Sequence, residues 1–388
     1  MSSVNVIPEE SLLSLRMIPR DIGMTINMHT PSRLEDCRTR LFSPFEANQS
    51  HQSPSGMDIQ LFLLLMSIQE YYYFVLACIG IPANFVTIII LCRGNCGLSK
   101  SVTLYLVAMA LSDLLVLTFC VIFGQLAYYH VKSLIYFLTQ VCAFNQFLMS
   151  AFMDCSVWST VVFTFDRFVA ICHQGFKAKY CTWRTAGNVL ATIWVVSILR
   201  SIPDYFKYEP IVIIDGQGRG CRERLVFRQL LEWSIYDWLN HFLTPLFPYL
   251  LILLLNCLTV KHILLASLAR RRLVHQASAV SSDEEMKSRR KSIVLLFTIS
   301  AAFILLWLPT VTDFILDRVA NFYYSPANFT HPLAIFSQCS IMLKLLSSCV
   351  NTFIYALTQT RFRKELWNGL TFPFSLLVYV SKTAKGSC

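Results

Sequence analysis

The chain has 388 residues, 55% of them hydrophobic and 14% charged, with a mean hydropathy of +0.52. That is more apolar material than one soluble domain needs for its core, which excludes a water-soluble globular protein in favour of a membrane protein. The net charge of +10 does not point to nucleic acid, because the basic residues gather in short connections between apolar stretches.

Residues 1–58 are polar and contain several prolines, and they lack the charged, apolar, then small pattern of a cleaved signal peptide, so 1–66 is assigned to an N-terminal tail. They are expected to form a mostly disordered extracellular tail with Asn48 in a glycan-acceptor triplet. The first span is then the signal anchor. A membrane helix needs roughly 20 apolar residues. Seven stretches qualify, near 71–92, 102–127, 139–172, 186–203, 237–266, 293–316 and 332–357. The expected fold is an all-α membrane protein, a seven-transmembrane helix bundle over 67–358 followed by a short amphipathic helix and tail over 359–388.

The first span contains GIPANFVTIII with Asn84, and the second VAMALSDLLVL with Asp113. The third begins with Cys142 and ends in VVFTFDRFVAICH, where Asp166 and Arg167 stand together. Twenty-five helical steps separate Cys142 from Arg167, roughly 37 Å, so the two mark opposite membrane faces. Basic residues in the connections that precede the even spans, and after the seventh, place Arg167 on the cytoplasmic side and the N-terminus outside. The fourth span carries Trp194 and ends at Arg200. In the outer connection Cys221 is a candidate disulfide partner for Cys142, with Cys37 as a competitor.

In the fifth span Asp237 and His241 are four apart and share a helix face. The connection after it is basic, then acidic, then basic. Its Ser281 and Ser282 precede three acids, as in an acid-directed kinase site. The sixth span contains FILLWLPTV with Phe303, Trp307 and Pro309, then Asp313. The outer connection holds a second acceptor triplet at Asn328. In the seventh span Lys344, Ser347, Ser348, Asn351 and Tyr355 recur at helical spacing, so one polar stripe faces inward. The stretch TQTRFRKELWNGL alternates basic residues with Phe362, Leu366 and Trp367, as a helix lying on the inner leaflet does.

These motifs together resemble the rhodopsin-like (class A) G-protein-coupled receptors over roughly 71–370. Around FDRFVAICH and LTPLFPYLLILLLN the wording is similar to an orphan branch that responds to aromatic amino acids and peptides. The resemblance implies a plasma-membrane receptor with an extracellular ligand and a heterotrimeric G protein, and arrestin and receptor kinases as further partners. It implies no cofactor and no catalytic residues, beyond an allosteric sodium ion at Asp113 near Asn84, Ser156, Ser347 and Asn351. Asp166 is expected to hold Arg167 at rest, with Phe303 and Trp307 as a packing switch, Pro309 as the kink, and Asn351 and Tyr355 moving inward on activation.

Three departures stand out: Phe168 where the family has tyrosine, Thr352 where it has proline, and Arg289 and Arg290 where an acid would reach Arg167 from the sixth helix. A loosely held resting state is the expectation.

Met149 replaces the acid with which amine receptors of the family bind their ligand, which disfavours a biogenic amine. Met149 and Thr310 also stand where the orphan branch is expected to contact its ligand. Asp154, Arg200, Asp237, His241, Trp307, Asp313 and Lys344 remain as candidates to line a cavity with Met149. Acid and base together suit a zwitterion or a peptide end, the ammonium at Asp237 or Asp154 and the carboxylate at Lys344 or Arg200. The alternative for Asp154 and Arg200 is a structural ion pair. A non-signalling multi-pass transporter is the runner-up function, although no internal repeat is present.

Overall fold

Seven helices long and apolar enough to cross a bilayer run antiparallel in a computed structural model that describes residues 56–127, 138–214, 217–224, 230–274, 283–319, 332–369 and 371. The candidate glycan acceptors Asn48 and Asn328, and Cys37, Ser281 and Ser282, lie outside the described residues. Each backbone polar group in lipid needs an internal partner, so apolar segments of this length fold as helices. The first helix is Gly56–Cys92, beginning inside the stretch assigned to the tail because LFLLLM carries the apolar run outward. The others occupy Lys100–Leu126, Thr139–Cys172, Trp183–Phe206, Leu231–Ala269, Arg290–Leu316 and Pro332–Thr358.

Two helix starts are capped by hydroxyls. Ser99 accepts from the Val102 amide and Thr182 from the Thr185 amide, each satisfying an end N–H that the helix cannot. Two spans depart from regular α-helix. The second continues as π-helix over Leu117–Leu126, and the fifth is interrupted at Phe242–Leu246, where Pro245 removes a donor and Thr244 is extended (φ −154°, ψ 104°).

The all-α expectation needs one addition. The connection after the fourth span forms a nested hairpin: β1 (Tyr208–Glu209) pairs antiparallel with β4 (Arg222–Glu223), and β2 (Val212–Ile214) with β3 (Gln217–Arg219). A disulfide joins Cys142 to Cys221, and Thr139 donates to the Gly220 carbonyl at 2.6 Å, so the hairpin is tied to the start of the third span.

The third span packs against the second, fourth, fifth and sixth, the seventh against the first and sixth. Between the first, second and seventh, Gly80 permits a close approach, since a β-carbon there would run into Cys349 and Leu117. At the end away from the disulfide, Leu91, Leu106, Phe163, Leu296 and Tyr355 form one apolar cluster, which the terminal helix 360–369 joins through buried Phe362. Trp367 on the opposite face is 67% exposed, so this helix is amphipathic. Gly97, at φ +66°, lies under the Arg361 side chain and holds the helix against the first connection.

Candidate functional site

At the disulfide end the helices enclose a cavity of about 620 Å³ that reaches from the hairpin down to Trp307. Met149, Asp154, Arg200, Asp237, His241, Trp307, Asp313 and Lys344 all line it, brought together from the third to the seventh spans. They differ in how much of their charge is free for a ligand.

Asp154 and Arg200 form a direct ion pair. Thr244 donates to Asp154 Oδ1 at 2.7 Å, and Arg200 donates to Asn240 Oδ1 at 3.1 Å and to Thr244 Oγ1 at 3.2 Å. The break at Pro245 leaves Thr244 in position to do this. Of the two readings left open for Asp154 and Arg200, the geometry matches the structural ion pair. They hold each other across the third, fourth and fifth spans, as paired charges in lipid do.

Nearer the mouth, Lys207 lies 3.0 Å from Glu223 of β4 and 3.9 Å from Asp237. His241 Nδ1 is 2.8 Å from the Asp237 carbonyl and 3.5 Å from its carboxylate, and its ring stacks on Phe314 at 5.3 Å. Asp313 accepts from the Ser337 hydroxyl at 2.9 Å.

Below the cavity Phe303 and Trp307 stack at 5.2 Å, and Trp307 Nε1 donates to Ser347 Oγ at 3.1 Å. Asp113 is 1% exposed. It accepts from Ser156 Oγ at 2.6 Å and from Asn351 Nδ2 at 2.8 Å. Asn84 donates to the Ser348 carbonyl at 2.8 Å and to the Gly80 carbonyl at 3.0 Å, which leaves its Oδ1 buried without a partner among the described residues. Ser347 was grouped with Asp113, and the structure moves it to Trp307. Ser348, one residue on and so about 100° around the helix, takes its place beside Asp113. The Asp113 carboxylate, the Ser156 and Ser348 hydroxyls and the unused Asn84 oxygen are an all-oxygen donor set that fits a hard cation such as sodium.

At the far end of the third span Asp166 and Arg167 are buried and paired. Arg167 also donates to Ser292 Oγ of the sixth span at 3.4 Å. Where Arg289 and Arg290 replace the family's acid, a neutral hydroxyl supplies the link to the sixth helix, weaker than a carboxylate. In the adjoining connection Cys181 Sγ lies 3.6 Å from the Asp166 carbonyl. Burial, reinforced by the Asp166 carboxylate, pushes this thiol up to about 11, so it stays a protonated donor at neutral pH. Tyr355 is buried against Phe362 with no partner for its hydroxyl among the described residues, and Thr352, in the proline's place, accepts from Thr87 of the first span at 2.9 Å.

The family model for seven-transmembrane receptors of the rhodopsin family matches residues 83–355. The chain belongs to this family. It is 24% identical over 329 residues to mouse G-protein coupled receptor 15, covering 83% of this chain and 81% of that protein. It is 23% identical over 252 residues to dog atypical chemokine receptor 3, covering 63% and 64% of the two chains. Both matches leave the transporter alternative unsupported, and neither name bears on the aromatic-amino-acid branch.

For this rhodopsin-family receptor, the groups that sequence reasoning missed are short polar side chains, Asn240, Thr244 and Ser292, and Ser348 was read only as part of the inward stripe. Thr244 and Ser292 interrupt or border apolar runs, which was the available signal. Their partners depended on how each helix is rotated.

Proposed function

We propose that the chain is a plasma-membrane receptor, its N-terminus and disulfide outside, that binds a peptide or small zwitterionic ligand in the cavity and activates heterotrimeric G proteins at the Arg167 end. The single observation that carries this reading is the path of the third span. One helix bears the disulfide to the outer hairpin, the cavity residues Met149 and Asp154, the Asp113 partner Ser156, and the Asp166–Arg167 pair.

The cavity volume is within the range of small-ligand sites, and its lining holds both charge signs above an aromatic floor. In this reading the ligand presses on Trp307 and shifts the Phe303 stack. The sixth helix then turns outward about Pro309, which breaks the Arg167–Ser292 contact. A sodium ion would be held by Asp113, Ser156, Ser348 and Asn84 Oδ1, where it supplies positive charge to the buried carboxylate.

The test is G-protein activation across subtypes in cells expressing the receptor, without ligand and with tryptophan, phenylalanine and a peptide panel. The expected result is a signal that vanishes in a normally expressed Arg167→Ala variant. A signal indifferent to that substitution sinks the proposed switch.

A further inference from the structure

Among the described residues four basic side chains line the cavity, and three of them have carboxylate partners. Arg200 is held by Asp154, Lys207 by Glu223 and Asp237, and His241 by Asp237. The fourth, Lys344, has no carboxylate within 4.0 Å among the described residues; Asp313 acts on it only from farther away. An ammonium in lipid surroundings is costly unless an anion meets it, and here nothing in the described protein does so.

Its depth follows from two contacts. The Trp307–Ser347 hydrogen bond sets the level of the floor, and Lys344 is three residues from Ser347, about 4.5 Å toward the disulfide end. The Ser337–Asp313 hydrogen bond sets the level of Asp313, and Ser337 lies seven residues beyond Lys344, roughly 10 Å farther out. Asp237 and Asp204 also line the cavity. Asp237 contacts Lys207, which adjoins the hairpin strand β1, so that acid lies near the mouth. The cavity therefore has the Lys344 ammonium near its floor and the Asp313 carboxylate nearer its mouth, where the other acids are met by Arg200, Lys207 and His241.

From this polarity we infer that the ligand enters carboxylate first, its free acid on Lys344 and a cationic group against Asp313, whose level along the seventh helix is roughly 10 Å farther out. This rests on the receptor reading above and narrows it. An extended peptide advances about 3.5 Å per residue, so a tripeptide, or the last three residues of a longer peptide folded back on itself, spans the two charges. A single amino acid carries both charges on one residue and reaches one site at a time. Lysine, a compact point charge, suits one carboxylate and does not demand a planar anion.

The test follows thermal unfolding of the purified full-length receptor with a pool of randomised tripeptides bearing free ends, and with the same pool amidated at the C-terminus. The free-acid pool raises the unfolding temperature and the amidated pool does not. Lys344→Met abolishes the rise, and Lys344→Arg retains it. Tryptophan and phenylalanine bind roughly tenfold or more weakly, a difference of about 1.4 kcal/mol. Equal stabilisation by both pools, a rise that survives in a folded Lys344→Met variant, or no rise with the free-acid pool overturns the inference. Should Lys344→Met fail to fold, acid against amide on the unaltered receptor decides. Single amino acids that bind as tightly as the tripeptides overturn the length argument.

G-protein activation measured in parallel separates the two levels. Acid-dependent stabilisation without any signalling sinks the receptor mechanism and leaves the Lys344 subsite standing. Signalling by ligands indifferent to amidation does the reverse.

Discussion

The third span carries two buried ion pairs, and their surroundings differ. Asp154–Arg200 joins three spans, with Thr244 and Asn240 occupying further hydrogen-bonding groups of both charges. Asp166–Arg167 joins neighbours on one helix, with a single long bond to Ser292 reaching across. Similar charges thus serve as a fixed tie in the first case and as a releasable contact in the second. What separates them is the number of helices each engages and the hydrogen bonds that complete it.

The largest effect is expected at the fixed tie. Asp154→Ala leaves Arg200 buried without its anion and costs about 3–5 kcal/mol, read as loss of folded, surface-expressed receptor. Pairing it with Arg200→Met removes the stranded charge and recovers most of the lost expression. Expression of the double variant as poor as that of Asp154→Ala alone breaks the comparison.

Arg167→Ala is expected to abolish G-protein activation while lowering the unfolding temperature less than Asp154→Ala does. If it unfolds the receptor as badly, the second pair is structural too.

Ser292→Ala removes the one bond to the sixth span, worth about 1 kcal/mol. In a two-state receptor that raises the active-to-resting ratio roughly fivefold, measured as ligand-free signalling. Ser292→Asp acts in the opposite direction by giving Arg167 a charged partner. Unchanged basal signalling in both variants shows that this contact does not hold the resting state.

The smallest effect on signalling is expected for Thr244→Val, which deletes two interhelical hydrogen bonds in the fixed network. About 0.6 kcal/mol is expected for each, as a modest fall in unfolding temperature with signalling preserved.

Much of the architecture was legible because the lipid solvent simplifies it: only helices satisfy their own backbone, and apolar length alone reveals them. The seven spans therefore lie close to the stretches read from hydropathy, and the cavity gathers all eight residues singled out for it. Rotation about each helix axis was less legible. Ser347 and Ser348 are equally polar and adjacent, yet one meets Trp307 and the other Asp113. Asp154 and Arg200 were readable either as ligand contacts or as a pair, and only their three-dimensional separation decided between the two. The hairpin escaped notice because its strands are two or three residues long and show no periodicity. Ser292 was passed over because attention fell on charged groups, whereas the contact to Arg167 is a neutral hydroxyl.

Thr352 bears on how such a bundle moves. A proline at this place would remove an amide donor and soften the seventh helix there. Threonine keeps the amide and commits its hydroxyl to Thr87 of the first span. In the proposed activation, inward travel of Tyr355 would draw the first span along or break a buried hydroxyl pair, so the first and seventh helices would act mechanically as one rigid plate against which the sixth swings.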